Sequence, residues 1–225
     1  SEALKERGIT PCLAVVLVGD DPASQIYVRN KERACLEAGI RSIGIRLPAD
    51  TTQAELEARI VELNNDPEVD GILVQLPLPK GLSEGRVLSL INPRKDVDGF
   101  HVQSMGTLVI GTRGFVPCTP KGCLEMIVRT GIDISGKEVV VVGRSNIVGK
   151  PMSMLLLHAH GTVTICHIRT RDLPAVCRDA VILVAAMGMP QFVTPDFVKE
   201  GVVVIEVGVN LLVVGKLIGD VAFDA

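Results

Sequence analysis

The sequence predicts an α/β protein built as two three-layer α/β domains, and three observations predict it. Apolar runs of strand length alternate with helix-length segments from Cys12 to Val207. The chain is 47% hydrophobic but only 3% aromatic, so its core is Val, Ile, Leu and Ala, the composition of parallel strands covered on both faces. The alternation weakens once, between Glu84 and Pro117, and then resumes. A chain of 225 residues can hold two small domains. We place the change near Pro117–Pro120, giving domains 1–118 and 119–225.

Each element has its own reason. Ser1 opens onto what reads as the end of a helix, so the natural start is expected upstream. Cys12–Val18 is a buried strand by length and β-branching. Pro22–Ala38 is a helix with Gly39 in the stop position, and Ser42–Leu47 alternates as a strand. Thr52-x-x-Glu55 is a capping box opening a helix to about Asn64. Val69–Gln75 is the next strand, and Pro77 and Pro79 forbid further ladder pairing. A short helix runs from Glu84 to Ile91, and a Gly-rich stretch to Phe115 is left without a regular element. Then come a helix over Pro120–Arg129, a strand over Glu138–Val142, a helix over Lys150–His158 and a strand over Thr162–His167. Val181–Ala185 and Val202–Val207 are further strands, with a helix start at Thr194-Pro195 between them and a hairpin over Gly208–Phe223 after them.

Composition narrows the function. A net charge of −3 argues against a nucleic-acid binder that relies on overall positive charge. The longest apolar runs, such as Ala180–Met187, fall far short of the ~20 residues a membrane helix needs. Six cysteines with no C-x-x-C read as reduced, mostly buried thiols, so the expected compartment is the cytoplasm or a mitochondrial matrix. His158 and His160, at i and i+2 on a helix, face different ways, and no metal site is expected.

The segment Gly143-Arg144-Ser145-Asn146-Ile147-Val148-Gly149-Lys150-Pro151 follows a strand and opens a helix. That position suits an anion, because free backbone N–H groups and the helix dipole both favour negative charge. It is not a Walker A loop: five residues separate the glycines and Pro151 stands where Ser or Thr should hold magnesium. It is not G-x-G-x-x-G either, since Ser145 and Val148 occupy the second and third glycine positions. On its own the loop is either a dinucleotide phosphate site or a tight turn with no ligand. The next strand tips the balance. A site for an unmodified ribose places an acid about twenty residues on; here His167-Ile168-Arg169-Thr170-Arg171 comes first, and no acid appears before Asp172. With Arg144, these basic groups suit a 2′-phosphate and favour NADP over NAD. The alternative is that Arg169 and Arg171 are solvated charges ahead of a helix.

In the first half, Tyr27 and Lys31 share one helix face, with Ser24 one turn earlier. Such a lysine can move protons near neutrality, or it can simply face solvent. Gln75 ends a buried strand, where ligands gather in open α/β sheets, and Asp98 sits in an Asp-Val-Asp-Gly turn. Together they could read the donor and acceptor edge of a flat heterocycle, with Asp96 shaping the turn. Tyr-x-x-x-Lys also serves short-chain dehydrogenases, but there the nucleotide fingerprint precedes the pair, the reverse of the order here.

Six motifs in order resemble the bifunctional methylenetetrahydrofolate dehydrogenase/cyclohydrolase (FolD-type) family: Asp21–Lys31, Gly71–Pro79, Lys95–Phe100, Pro117–Gly122, the Gly143–Pro151 loop, and the pair Val207–Asn210 and Gly219–Val221. The resemblance runs from about Pro11 to Phe223. It implies two α/β domains flanking a cleft that takes folate, the second a Rossmann-like NADP-binding domain. It implies that Lys31 is the catalytic lysine and proton carrier, that Tyr27 orients the pterin end, that Gln75 supports Lys31, and that Asp98 reads the pterin ring. Ser24, Val74 and Leu76 complete the implied substrate contacts. Thr119, Gly143, Arg144, Ser145, Ile147, His167, Ile168, Arg169 and Val209 form the implied cofactor set. The implied reactions are oxidation of 5,10-methylenetetrahydrofolate with NADP⁺ and hydrolysis of the methenyl product to 10-formyltetrahydrofolate, by a cytoplasmic homodimer joined through the nucleotide domain. Nothing in it implies a nucleic-acid or membrane partner.

The sequence also departs from the family pattern. Ile168 stands where a Ser is common, leaving a 2′-phosphate to Arg144 and Arg169. Glu206 replaces an Asp, and Leu211 replaces a basic residue. The family continues beyond Ala225 with a Pro-Gly-Gly-Val-Gly-Pro loop and a final helix. Two other readings therefore stand: a monofunctional NAD-dependent dehydrogenase of the same family, or a truncated folate- or nucleotide-binding protein without turnover.

Overall fold

The computed structural model describes residues 2–211 and 217–224. The chain divides into two compact units, Ser1–Ser104 and Met105–Ala225.

The first unit runs α1 (Glu2–Glu6), β1 (Cys12–Val18), α2 (Pro22–Ala38), β2 (Arg41–Leu47), α3 (Gln53–Asn65), β3 (Gly71–Val74) and α4 (Glu84–Leu90), and α5 (Val102–Ile110) crosses the boundary. Its three strands are parallel in the order β2-β1-β3. Successive β1 residues point to opposite faces. Ala14, Val16 and Val18 pack with Leu56 and Ile60 of α3 and Val87 of α4, while Val15 and Leu17 pack with Val28 of α2 and Leu73. That is the predicted three-layer arrangement. The capping box at Thr52 and Glu55 is formed, and Lys95 Nζ donates to the Leu63 and Asp66 carbonyls at the other end of α3. The predicted strand Val69–Gln75 is shorter, Gly71–Val74; at its start Asp70 donates its N–H to the Cys12 carbonyl at 2.9 Å while its carboxylate, not its carbonyl, takes the Cys12 N–H at 2.8 Å.

The second unit runs α6 (Cys118–Arg129), β4 (Glu138–Val142), α7 (Gly149–His158), β5 (Thr162–Cys166), α8 (Leu173–Arg178), β6 (Ile182–Ala185), β7 (Val203–Glu206), β8 (Asn210–Leu211) and β9 (Leu217–Ile218). The main sheet is parallel, β5-β4-β6-β7. Val139 and Val141 pack with Ile127 of α6 and with Met152 and Leu156 of α7. Val140 and Val142 pack with Leu173 and Cys177 of α8. The helix predicted at Thr194-Pro195 is a single 3₁₀ turn, Pro195–Phe197, whose Phe197 ring meets Phe192 edge-on at 5.5 Å. The predicted hairpin pairs β8 with β9, and its residues 212–216 lie outside the described ones.

The unexpected element is α5. Gly106, Thr107 and Val109 have weak helix propensity and hid it in the sequence. It is secured from outside its own segment, by a 2.7 Å bond between His158 Nε2 and the Leu108 carbonyl. All six cysteines are free thiols, with only Cys118 exposed. Burial pushes the Cys177 thiol up to about 12. No helix among the described residues is long and apolar enough to cross a membrane.

Both sheets share one feature that positions chemistry. The first strand lies inside, the second strand pairs on one side of it, and the third on the other. The crossover thus reverses at β1/β3 and again at β4/β6, and crevices for ligands open at the carboxyl ends of such strands.

Candidate active site

At the β1/β3 reversal the chain leaves the sheet through Gln75. Its backbone N–H still bonds the Val16 carbonyl at 2.8 Å, and its side-chain amide donates to the Leu76 carbonyl at 2.6 Å. That second bond fixes the amide, so Oε1 faces the other way and accepts from Lys31 Nζ at 3.1 Å. Lys31 reaches it because Ser24, Val28 and Cys35 form the buried stripe of α2, and Lys31 follows the same seven-residue spacing from Ser24. Lys31 is therefore not a solvent-facing lysine. Ser24 is buried on the first turn, its N–H capped by Asp21 at 2.7 Å. Tyr27, one turn before Lys31, stays half exposed and can offer its ring to a ligand. Val74 packs its side chain into the α3/α4 core, leaving only its backbone for a substrate, and Leu76 is half-buried.

Asp98 completes this group. Burial pushes its carboxyl up to about 6; the Lys31 ammonium opposes that rise and the Asp96 carboxylate adds to it. Asp96 shapes the turn that carries Asp98. It is 1% exposed and accepts from the N–H groups of Phe100 and His101 and from the Ser104 hydroxyl. A half-buried lysine held by an amide oxygen, beside a carboxyl pushed up to about 6, is an arrangement able to move protons and to read a polar ring.

The β4/β6 reversal builds a second group. The registers set Cys166, Val142, Ala185 and Glu206 side by side at the strand ends. Gly143, His167, Ala186 and Val207 therefore leave one edge of the sheet together. A Cβ on Gly143 would land on the Ala186 carbonyl, and one on Gly149 would land on the Gly143 carbonyl. The loop thus closes a backbone cradle that only glycine permits at those two points.

The donors in this cradle are not the expected ones. Ser145 Oγ accepts from the Val148 and Gly149 N–H groups at 3.1 and 3.3 Å, and its carbonyl takes the Lys150 N–H at 3.0 Å. Pro151 has no N–H. The start of α7 is therefore already satisfied, which corrects the reading of free helix N–H groups. The N–H groups without a partner among the described residues are those of Arg144, Ser145, Asn146 and Ile147. The Ser145 hydroxyl, while accepting twice, keeps its proton to donate.

The neighbouring turn is also self-bonded. The His167 N–H goes to Thr170 Oγ1 at 3.0 Å, and His167 Nδ1 accepts from the Arg169 N–H at 3.1 Å. Asp172 caps α8 through the Ala175 N–H, so it is committed to the helix rather than to a ribose. Arg144 and Arg169 are exposed, and Ile168 is 64% exposed. Val209 is exposed past β7; Thr119, exposed on the first turn of α6, has no hydrogen bond to the loop among the described residues. The cradle fits the diphosphate of a dinucleotide: close backbone approach, four successive N–H groups without a partner among the described residues, one hydroxyl, and the exposed Arg144 and Arg169. The reading from sequence missed a third strand-end loop, Ala186–Met189, and the buried Asp220 that bonds it. Gly188, three residues past the buried strand that ends at Ala185, was the available signal.

Comparison with known proteins agrees with this geometry. Residues 1–98 match the family model of the tetrahydrofolate dehydrogenase/cyclohydrolase catalytic domain, and residues 117–225 match that of its NAD(P)-binding domain. The chain is 60% identical to the bifunctional protein FolD of Moorella thermoacetica, over 99% of this chain and 79% of that one. Among solved structures, the bifunctional FolD dehydrogenase/cyclohydrolase of Campylobacter jejuni superposes with a TM-score of 0.93 at 49% identity, covering 99% of this chain and 79% of that one. The Trypanosoma brucei dehydrogenase-cyclohydrolase, solved with NADP and an inhibitor, superposes with a TM-score of 0.92 at 38% identity, covering 99% and 79%.

Proposed function

The chain belongs to the tetrahydrofolate dehydrogenase/cyclohydrolase family, and from that premise we propose that it oxidises 5,10-methylenetetrahydrofolate with NADP⁺ and hydrolyses the methenyl product to 10-formyltetrahydrofolate in one-carbon metabolism. The observation that carries this is the Lys31–Gln75 bond at 3.1 Å beside Asp98, on a chain that also keeps the Gly143–Gly149 cradle. Residues 1–118 form the folate-binding part and residues 119–225 the dinucleotide-binding part on this reading.

Bound NADP⁺ supplies the acceptor for the hydride that leaves the methylene carbon. The loop N–H groups of residues 144–147, the Ser145 hydroxyl and the Arg144 guanidinium would hold its phosphates, and Arg144 and Arg169 its 2′-phosphate, with Thr119, Ile147, His167, Ile168 and Val209 as flanking contacts. Asp98, ionised above about pH 6, accepts from the pterin N–H groups, and Tyr27 lies along the ring. Ser24, Val74 and Leu76 border the same site.

In the second reaction the oxygen of water bonds to the methenyl carbon and the bond from that carbon to N5 breaks. One proton of the water ends on N5 and the other is released. Lys31 is the carrier of those protons on this reading, supported by Gln75 Oε1, which holds its Nζ at 3.1 Å while its other hydrogens have no partner among the described residues. No metal is invoked. The free cysteines support a cytoplasmic protein. Exposed Leu157 of α7 and Ile165 of β5 support a homodimer through the nucleotide-binding domain.

The test is the absorbance of reduced nucleotide formed from methylenetetrahydrofolate, run with NADP⁺ and NAD⁺ in parallel. Preference for NADP⁺, with loss of the methenyl absorbance in a nucleotide-free assay, is the expected result. Ile168, apolar and exposed where a phosphate is expected, is the one feature that favours the NAD-dependent dehydrogenase, and a preference for NAD⁺ without cyclohydrolase activity would establish that reading instead. No turnover with either nucleotide would leave a binding protein.

A further inference from the structure

None of the steps above uses the Gly219-Asp220-Val221 segment, yet Asp220 is bonded in an unusual way. Its side chain is fully buried and forms no ion pair among the described residues. A buried carboxylate persists only where hydrogen bonds replace its water. Here Oδ2 accepts from the N–H groups of Met187 and Gly188 at 2.7 and 3.0 Å. Oδ1 accepts from the Met189 N–H at 2.8 Å and the Asn210 amide at 3.1 Å. Three consecutive N–H groups converging on one anion form a backbone nest. In this protein the anion in the nest is part of the chain itself. The backbone reinforces it: the Gln191 and Val193 N–H groups donate to the Gly219 and Asp220 carbonyls, both at 2.9 Å. Gly208 makes room, since a Cβ there would land on the Asp220 carboxylate.

The nest lies at the β4/β6 reversal. Its loop starts at Ala186, directly after β6, and the Ala186 carbonyl occupies the space a Gly143 side chain would need. The 186–189 loop is therefore packed against the start of the phosphate cradle. We propose that Asp220 is the positioning residue of the dinucleotide site: by holding the N–H groups of 187–189, it fixes the wall of the crevice opposite the Gly143–Val148 loop. The proposal rests on the dinucleotide reading of that crevice. It assigns Asp220 no contact with the nucleotide and no part in the chemistry.

The experiment compares the full-length protein with Asp220→Asn and Gly208→Ala. The first keeps the shape but turns one acceptor into an N–H donor facing other N–H groups. The second keeps the carboxylate and displaces it. NADPH binding is followed by nucleotide fluorescence, NADP⁺-dependent oxidation by initial rates, and hydrolysis of the methenyl compound without nucleotide. Both variants are expected to raise the NADPH Kd and the NADP⁺ KM about tenfold or more, the loss of one charge-assisted hydrogen bond. Change in kcat at saturating NADP⁺ should be smaller, and cyclohydrolase rates should stay within about twofold, since the residues assigned to hydrolysis lie in the other unit. An unchanged Kd in both variants overturns the proposal. So does a parallel fall in both activities, which marks Asp220 as a general folding residue. If the unsubstituted protein binds no NADPH, the reading of the crevice fails first, and the positioning role with it.

Discussion

On the proposed mechanism, Lys31 and Asp98 are the residues on which the chemistry turns. The expected outcome for Lys31→Met is loss of methenyl hydrolysis with a smaller loss of hydride transfer, because only hydrolysis needs protons moved. Wild-type cyclohydrolase rates in that variant would remove Lys31 from its role. For Asp98 the sign is set by its raised pKa of about 6, against an ordinary value of 3.8. The fold favours the protonated carboxyl, so ionisation costs stability as pH rises from about 4 to 6, and above that the full cost of roughly 3 kcal/mol applies. Asp98→Asn should therefore unfold at higher temperature than the parent protein at pH 7.5 and show little gain at pH 4. It should also lose folate affinity, and the acid limb of kcat/KM near pH 6 should vanish. A melting temperature that does not depend on pH in this way would contradict the burial argument. The position of Lys31 was legible in the sequence, since the spacing Ser24–Lys31 and Val28–Cys35 marks one stripe of α2. The state of Asp98 was not, because its burial depends on α2 and β3, distant in sequence.

Among the elements, the Gly143–Val148 loop with α7 carries the sharpest test. Gly149→Ala would drive a methyl into the Gly143 carbonyl and the Arg144 amide. Relief requires opening the cradle, which should weaken NADPH binding about tenfold and cost about 1–3 kcal/mol in urea denaturation, as overpacking does. A variant with parental affinity would show that the cradle does not touch the nucleotide. The sequence located this loop by its strand and helix neighbours. It did not reveal which N–H groups are free, because Ser145 reaches forward three and four residues to occupy the first ones. Helix α5 was illegible for a related reason: its support comes from His158, fifty residues away in the chain.

For the molecule as a whole, the two units predict two separable ligand responses. NADP⁺ at a hundredfold over its Kd should stabilise the second unit by about 2.7 kcal/mol. Hydrogen exchange would read this as slower opening of β4, β6 and β7 than of β1 and β3. Equal protection of both sheets would contradict it. The α/β class and nearly every strand were legible because buried parallel strands write themselves as short Val- and Ile-rich runs. The local turn shaped by Asp96 was legible too, but the carboxylate network of Asp220 was not, since it joins segments more than thirty residues apart whose meeting is decided by the fold.

The bonding of Ser145 has a practical consequence. Because this one side chain seals the end of α7, the helix does not depend on any bound anion for its first turn. If the loop holds the nucleotide as proposed, residues 144, 146 and 147 can be exchanged without removing the bonds that close this helix end. On the proposed reading cofactor choice is in that sense an interchangeable part, and Ile168, exposed and outside the hydrogen bonds of its turn among the described residues, is the natural place for an engineer to begin.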